Sequence, residues 1–278
     1  VCNTIALILL LSGSMLSSTL AFAKAVDDIP VTVKWNYRDG LGPQHWGTLH
    51  PEFAVCGAGK IQAPINIVEP IASGDNQLTI RYQTAPMVIM DDGNTNLLIG
   101  TQQTLVNLGH GLQLNFPETT SKELITYNGE TYRLVQFHFH SPAETKLAGH
   151  QFPLEIHFVH SDEKGAGKLL VISVLIRSGK ENATLQHIIE HIPLRGETAQ
   201  VIEGERVNPN ELLPANRAYY SFMGSLTTPP CSEGVQWLVM ANTIMASPSQ
   251  IVAFRQAAGG ANARPVQALE GRKVEFNK

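Results

Sequence analysis

The chain has 278 residues, of which 43% are hydrophobic and only 16% are charged. This composition can build one substantial buried core, as in a globular protein. The formal net charge of −4, without any run of Lys or Arg, excludes the strongly basic surfaces that bind nucleic acid or anionic membranes.

The N-terminal segment predicts a secretory signal peptide. Residues 5–20 are apolar and rich in small residues, and Ala21-Phe22-Ala23 follows them as a typical cleavage site. We therefore expect a signal peptide over residues 1–23, shortened at its start, and a periplasmic or secreted mature domain over residues 24–278. A membrane anchor is the alternative, but an apolar run this short is marginal for crossing a bilayer.

Two of the three cysteines, Cys56 and Cys231, lie in the mature region. An even pair in an exported protein predicts one disulfide, because oxidising compartments favour its formation. By the chain-entropy model, closing so long a loop would add about 5 kcal/mol to the free energy of unfolding. Two free buried thiols are the alternative.

Strand patterns dominate the mature region from Leu78 onward, as short runs separated by turn residues. Asn128-Gly129 predicts a tight hairpin turn that leads into a strand over residues 131–140. Residues 154–160 alternate in polarity, and the Leu, Val and Ile run over residues 169–176 is typical of a strand buried on both faces. We predict that these are central strands of one sheet.

Helical patterns are few. They cover residues 182–192, 208–213 and 247–256. No helix is predicted before about residue 180, and residues 35–47 predict an irregular packed arm because they are rich in Gly, Pro and aromatic residues. The sequence therefore predicts a mainly β, single-domain fold with a large twisted, mostly antiparallel central sheet and a few short surface helices.

The sequence Gln136-Phe137-His138-Phe139-His140 predicts the centre of the functional site. In a β-strand, alternation places Gln136, His138 and His140 on one face and the two Phe side chains on the other. Two imidazoles then point toward one spot in front of the sheet, while the Phe side chains form an apolar layer behind it.

A third metal ligand is predicted in the strand over residues 154–160. Alternation separates His157 from His160, so only one of them can join the first pair. His157 is favoured because Glu155 shares its face and can accept the outward imidazole N–H. Three neutral imidazoles with an open fourth position are typical of catalytic zinc, which acidifies a bound water so that hydroxide exists near neutral pH.

Seven short motifs run through the mature region: Gly42-Pro43-x-His45-Trp46, Gln62-x-Pro64-Ile65-Asn66-Ile67, Asn107-x-Gly109-His110, Gln136-Phe137-His138-Phe139-His140, Glu155-x-His157-x-Val159-His160, Ser225-Leu226-Thr227-Thr228-Pro229-Pro230-Cys231 and Asn262-x-Arg264-Pro265. Because of these motifs and their order along the chain, the sequence resembles α-class carbonic anhydrases of the bacterial type. The resemblance implies a zinc enzyme that reversibly hydrates carbon dioxide to bicarbonate and a proton by attack of zinc-bound hydroxide. It also implies a Cys56–Cys231 disulfide and allows for a homodimer.

The resemblance assigns roles around the metal. The zinc ligands would be His138, His140 and His157, oriented by Gln136, Glu155 and the backbone carbonyl of Asn262. Thr227 would accept a hydrogen bond from the nucleophile and donate its own proton to ionised Glu144. The apolar substrate wall would consist of Val159, Val171, Leu226, Val235 and Trp237, and Thr228 would also contact the substrate.

Proton release is assigned in the same way. His110 would carry the proton between the metal site and the solvent, since an imidazole titrates near neutral pH. Tyr37, Asn107 and Gln113 would hold the water molecules between them.

The chain departs from the family pattern at two positions under the site. Ala63 and Phe222 stand where most members have Ser and Tyr hydroxyls. If those hydroxyls bond to each other in the family, the loss of both leaves no buried polar group without a partner. We therefore expect an effect on rate and stability only.

Two other functions remain open at the sequence level. His187-Ile188-Ile189-Glu190-His191 matches the H-x-x-E-H pattern of a class of zinc metallopeptidases, although an amphipathic helix that docks on the sheet explains it equally well. A noncatalytic binding module on the same fold is the other alternative. It would be expected to lack a zinc-binding His, the Thr or the Glu, and none is missing here.

Overall fold

A large sheet runs through the protein. The computed structural model describes residues 33–68, 71–72, 76–92, 111–116, 123–192 and 200–278, which belong to the unit Val33–Lys278. The strands are β1 (Asn66–Ile67), β2 (Ile71–Ala72), β3 (Leu78–Arg81), β4 (Ala85–Asp92), β5 (Gly111–Asn115), β6 (Leu124–Tyr127), β7 (Glu130–His140), β8 (Lys146–Leu147), β9 (His150–Gln151), β10 (Leu154–Asp162), β11 (Leu169–Ser178), β12 (Gln200–Val207), β13 (Tyr219–Ser225), β14 (Glu233–Met240), β15 (Ile244–Ala246) and β16 (Glu275–Asn277).

The main sheet has the order β12-β4-β5-β7-β10-β11-β14-β13-β16-β2, with β15 beside β11 and the β3–β6 pair joined to β7. Strands β5, β7, β10 and β11 pair antiparallel, whereas β11 and β14 pair parallel. A small separate sheet consists of β1, β8 and β9. The predicted mainly β fold with a large, mostly antiparallel sheet is therefore confirmed.

The predicted hairpin is present between β6 and β7. Asn128 and Gly129 have φ values of 48° and 81°, the left-handed region that a tight hairpin turn requires. The pairing of Tyr127 with Glu130 then fixes the register of the two strands. Strand β11 is buried along Leu169–Ile176, as its continuous apolar sequence predicts.

The register between β7 and β10 shifts between Val159 and His160, because one extra residue of β7 is accommodated there. Leu134 on one side of the shift and Phe137 on the other both face the apolar core. Simple alternation along β7 would have placed these two side chains on opposite faces. The bulge therefore lets the strand fill the core along its length while the His pair faces the other side.

The helices are short and lie outside the sheet. They are α1 (Trp46–Leu49), α2 (Val55–Ala58), α3 (Ala183–Glu190), α4 (Pro248–Ala257) and three 3₁₀ turns at Asp39–Leu41, Pro51–Phe53 and Pro209–Leu212. The Asn182 side chain accepts from the Leu185 amide to cap α3, and Ser247 with Gln250 forms a capping box on α4. The prediction of no helix before about residue 180 is wrong, because turns of three or four residues carry no detectable periodicity.

Two apolar clusters lie on opposite faces of the central strands. The first contains Phe137, Phe139 and Phe158, and the second contains Val159 and Trp237. The N-terminal arm packs separately around Trp46, which is fully buried and whose indole N–H lies 2.9 Å from the Asn36 carbonyl.

The predicted disulfide between Cys56 and Cys231 is formed, with Cα atoms 5.0 Å apart. It joins the N-terminal arm to the loop after β13, beside the fully buried Trp46. In the part of the chain that the structure describes, no helix is long and apolar enough to cross a membrane.

Candidate metal centre

Three imidazoles converge in front of β7 and β10. One potential ligand atom from each of His138, His140 and His157 lies within 4.8 Å of the others. The antiparallel register places His157 directly opposite His138, so the two strands bring the ligands together without help from a loop. The structure therefore groups the three His residues that the sequence predicts as a metal site.

Each imidazole has one nitrogen close to an oxygen atom of a neighbour. Nδ1 of His138 lies 2.8 Å from Oε1 of Gln136, and Nδ1 of His140 lies 2.7 Å from the Asn262 carbonyl. Nε2 of His157 lies 2.9 Å from Oε1 of Glu155. A neutral imidazole that donates from one nitrogen keeps a lone pair on the other. Nε2 of His138, Nε2 of His140 and Nδ1 of His157 therefore remain to bind a metal ion.

The donor set fits zinc. The buried Nε2 of His140 has no hydrogen-bond partner among the described residues, which is costly for a polar atom unless a ligand satisfies it. Nε2 of His157 also lacks a well-aligned hydrogen bond, but it lies 2.9 Å from the ionised carboxylate of Glu155, which leaves Nδ1 as its free donor. Within the described part of the chain no fourth side chain is grouped with these three nitrogen donors, an arrangement typical of a catalytic zinc site rather than a structural one. His138, His140 and His157 would hold the ion.

Glu155 is held in place by several donors. Its Oε2 accepts from the backbone amides of Glu144 and Thr145 at 2.6 and 2.8 Å, and its Oε1 accepts from Oγ of Ser173 at 2.5 Å. Burial favours a higher pKa for Glu155, but the interactions with His157 and these hydrogen bonds outweigh it and lower the pKa to about 2. The carboxylate therefore stays ionised behind His157.

His160 points to the opposite face. Its Nε2 lies 2.6 Å from the Tyr82 hydroxyl, and its Nδ1 lies 3.1 Å from the Leu170 carbonyl. Burial lowers the pKa of His160 to about 3, so the ring stays neutral. Both nitrogens are occupied by protein atoms, and the residue is not grouped with the three converging imidazoles.

Glu144 and Thr227 lie beside the three imidazoles. Oε1 of the fully buried Glu144 accepts from the Arg264 amide at 2.7 Å. Burial raises the pKa of Glu144 to about 7, whereas His157, the Arg264 amide and the Thr227 side chain act in the opposite direction. A divalent cation held by the imidazoles would favour the ionised carboxylate further.

A narrow pocket opens next to the metal ligands. Thr227 and the ligands His138 and His157 lie on its polar side. The rest of the predicted wall that lines it is largely apolar: Val159, Val171, Leu226, Thr228 and Trp237. Val235 is buried in the same apolar cluster as Val159 and Trp237, but it does not line the pocket itself.

Of the four residues predicted to form the proton path, the structure describes Tyr37 and Gln113. Tyr37 packs edge-on against Trp46 with ring centroids 5.5 Å apart, and burial together with the charge of Glu144 raises its pKa. Gln113 lies opposite His138 in the β5–β7 register and donates to Oδ1 of Asn115 at 2.7 Å. His110 and Asn107 lie outside the described residues, as does the predicted signal peptide.

The two departures from the family pattern lie in an apolar setting. Ala63 and Phe222 are both buried in the cluster that contains Trp237. Phe222 stacks on Trp237 with ring centroids 6.2 Å apart, and the Ala63 amide donates to Oγ of Ser225 at 2.9 Å. The contacts of both side chains are therefore consistent with the expectation that no polar group is left behind.

Two residues of the site have no role in the sequence analysis. The Arg264 guanidinium donates to the carbonyls of Ala63 and Cys56 at 2.7 and 2.9 Å, which fixes the backbone whose amide binds Glu144. Ser173, which binds Glu155, lies opposite His157 on β11. The signal for Ser173 is that it is the one polar residue within the apolar run 169–176.

Comparison with known proteins identifies the family. A model of the eukaryotic-type carbonic anhydrase family matches residues 41–278. The chain belongs to this family. The match covers the three-His centre, the pocket and the loop that carries Thr227, and the hydration of carbon dioxide is the function of the family.

Individual relatives agree with this assignment. A carbonic anhydrase of Pectobacterium carotovorum is 38% identical over 264 residues, which cover 95% of this chain and 98% of the relative. A carbonic anhydrase of Neisseria gonorrhoeae is 38% identical over 240 residues, 86% of each chain. The solved structure of the Thermovibrio ammonificans α-carbonic anhydrase with the inhibitor sulfanilamide has a TM-score of 0.76 at 34% identity, over 87% of this chain and 99% of that one.

Proposed function

We propose that this carbonic anhydrase is an active zinc enzyme in which His138, His140 and His157 hold the metal, and Thr227 and Glu144 orient the nucleophile. The observation that carries the proposal is the arrangement of the imidazoles: each has one nitrogen engaged by Gln136, Asn262 or Glu155, and the other is left for a metal. A zinc ion held there supplies a hydroxide nucleophile near neutral pH by acidifying water.

Thr227 and Glu144 control the direction of the nucleophile. The ionised carboxylate of Glu144 can only accept hydrogen bonds, so the Thr227 hydroxyl must act as the donor when the two groups bond. The buried Oε2 of Glu144 is the atom that remains to accept this bond. Oγ of Thr227 is then left as an acceptor for the proton of the nucleophilic oxygen. This order directs a lone pair, rather than the proton, toward the substrate carbon. The Arg264 amide, 2.7 Å from Glu144 Oε1, holds the carboxylate in this position.

The apolar wall binds carbon dioxide in preference to its product. Carbon dioxide is linear and uncharged, so it loses little by leaving water for the surface of Val159, Val171, Leu226 and Trp237. Bicarbonate is charged, and an apolar surface offers it no compensating hydrogen bonds. Product release is therefore favoured once the new C–O bond has formed.

His110 completes the cycle as the proton carrier, with Tyr37, Asn107 and Gln113 around the intervening water molecules. The positions of Tyr37, whose pKa is raised in part by the charge of Glu144, and of Gln113, opposite His138, support this role. An unperturbed imidazole exchanges its proton near neutral pH, which suits a carrier between the site and buffer.

Stopped-flow measurement of carbon dioxide hydration tests the proposed function. We expect rapid hydration by zinc-loaded protein, a rate no greater than that of the buffer after chelation, and recovery when one equivalent of zinc is restored. Hydration no faster than buffer by zinc-loaded protein would contradict the proposal. Peptide cleavage by the same sample would instead favour a metallopeptidase that uses His187 and His191.

A second experiment tests the proton path. In weak buffer, His110→Ala should lower the turnover number, and added imidazole should restore part of it, because a free base can replace the carrier. The rate in strong buffer is the control. Unchanged turnover in weak buffer, or a loss that imidazole does not rescue, would remove His110 from the mechanism.

We also propose that the enzyme works in the periplasm or outside the cell, after removal of residues 1–23. The Cys56–Cys231 disulfide supports this location, since such bonds persist in oxidising compartments. Mass determination of the exported protein would test the cleavage site. The homodimer that the resemblance allows remains a prediction, which sedimentation analysis can test.

A further inference from the structure

A second cluster of metal-binding side chains lies on the surface near the end of α3. His187 lies in the last turn of this helix, His191 follows as its C-cap, and Glu205 comes from strand β12. Nε2 of His187 lies 3.2 Å from Oε2 of Glu205, and Nε2 of His191 lies 3.9 Å from Oε1 of the same carboxylate. The two imidazole centroids are 4.9 Å apart.

The cluster is separate from the three-His centre and open to solvent. Leu185 and Ile188 of α3 are buried in the apolar cluster that contains Phe137 and Phe139, whereas His138 and His140 face the other side of β7. The side chains of His187, His191 and Glu205 remain 32%, 23% and 40% exposed. An ion from solution can therefore reach them without opening the core.

The hydrogen bond of His191 fixes which of its nitrogens is available. Nδ1 of His191 lies 2.8 Å from the His187 carbonyl, which can only accept, so Nδ1 carries the proton. In the neutral ring, Nε2 is then a bare acceptor, and it faces the carboxylate of Glu205, another acceptor. A cation between the two groups satisfies both. A backbone carbonyl that fixes the tautomer is also what metal-binding imidazoles commonly have behind them.

Each imidazole nitrogen lies at a distance from the carboxylate that one shared ion could bridge. Ligand atoms about 2.0–2.1 Å from a tetrahedral zinc ion lie roughly 3.3 Å from one another. The observed nitrogen-to-oxygen distances of 3.2 and 3.9 Å are close to this value, but they run to different oxygens of Glu205. Among the described residues, only the three-His centre brings one donor atom from each of three side chains within 4.8 Å of one another. Rotation of the partly exposed side chains of His187, His191 and Glu205 would bring their donor atoms together on binding. Two imidazoles and one carboxylate also match the donor preferences of zinc and its first-row neighbours, rather than those of calcium or magnesium.

We propose that His187, His191 and Glu205 form a second, noncatalytic site for a divalent transition-metal ion such as zinc. The ion would connect the end of α3 to β12, the elements that precede and follow residues 193–199 in the sequence. Glu190, the acidic residue of the H-x-x-E-H pattern, is not part of the proposed site: its Oε1 accepts from Nε2 of Gln186 at 3.1 Å, and Glu205 is the carboxylate that faces both imidazoles. The site therefore uses the two His residues of the motif but not its metallopeptidase chemistry.

Zinc titration of protein that already carries one catalytic zinc equivalent tests this proposal. Isothermal titration calorimetry with Zn²⁺ should show one further equivalent in the wild type. His191→Ala and Glu205→Gln should weaken this second equivalent by at least ~10–100-fold, the range lost even when only an outer partner of a ligand is removed. His150→Ala, at an exposed His of β9, is the matched control and should bind as the wild type does.

Thermal unfolding of the same samples gives an independent readout. Added Zn²⁺ should raise the unfolding midpoint of the wild type and of His150→Ala, but not that of Glu205→Gln, because an ion that binds only the folded state stabilises it. All variants should hydrate carbon dioxide at the wild-type rate, which shows that they are folded. Absence of a second equivalent in the wild type, or its unchanged affinity in both His191→Ala and Glu205→Gln, would overturn the proposal.

Discussion

His157 and His160 lie three residues apart on β10, and both are buried, yet they have opposite fates. Nε2 of His157 faces Glu155, and its other nitrogen turns toward two more imidazoles. Both nitrogens of His160 are taken, by the Tyr82 hydroxyl and the Leu170 carbonyl. A buried His thus becomes a metal ligand when the protein engages one of its nitrogens, and a core residue when it engages both.

Replacement of the two residues should separate their roles most clearly. His157→Ala should reduce both the zinc content and the hydration rate to background, because only two ligands remain. His160→Ala should retain zinc, while the free energy of unfolding falls by on the order of 3 kcal/mol through the cavity and the polar groups left without a partner. Metal analysis and urea unfolding of both variants provide the measurement. Zinc loss of equal size in the two would break the distinction.

Thr227 and Thr228 both line the pocket and form a second pair of residues whose roles can be compared. Thr227→Val should lower kcat/KM for carbon dioxide hydration by about 10²-fold, because the hydrogen bond to Glu144 that orients the nucleophile is lost. Thr228→Val should have a much smaller effect. Stopped-flow kinetics with zinc content checked in each sample decides between them, and equal losses would exclude a specific role for Thr227.

Replacement of Glu155 tests how strongly the partner of the outer nitrogen of His157 contributes to zinc affinity. Glu155→Gln keeps the shape of the side chain but removes the negative charge. Zinc affinity should fall by about 10–100-fold, as is usual when a partner of a ligating His is lost. Competition with a chelator of known affinity measures the change. Wild-type affinity would mean that the position of the three rings alone determines binding.

The smallest effect concerns the pH dependence of stability. The pKa of His160 is about 3 in the folded protein and near 6.5 when unfolded. Its folded pKa is the lower one, so its contribution is complete above pH 6.5 and is lost as the pH falls toward 3. Between pH 6.5 and 5 this loss is about 2 kcal/mol.

Urea unfolding of zinc-free samples measures this dependence without the effect of metal release. His160→Gln should have a flatter pH dependence than the wild type, whatever its stability at neutral pH. Identical slopes would show that the protonation of His160 does not limit stability in acid.

The sequence predicts the metal centre well because its determinants are local. Strand alternation places His138 and His140 on one face, and Glu155 shares a face with His157. The bulge near Val159 has no such local signal, since it depends on how β7 pairs with β10.

The role of Arg264 is equally hard to predict. It depends on contacts with Cys56 and Ala63, about two hundred residues away in the chain. Residues that act through distant backbone atoms become visible only when the fold is known.

We expect three particular nitrogen atoms to bind one zinc ion. Anomalous diffraction at the zinc edge from crystals loaded with one equivalent tests this directly. We expect the principal peak about 2.0–2.1 Å from Nε2 of His138, Nε2 of His140 and Nδ1 of His157, with no fourth protein ligand. A principal peak between His187, His191 and Glu205 instead, or a fourth side chain bound to the ion, would contradict it.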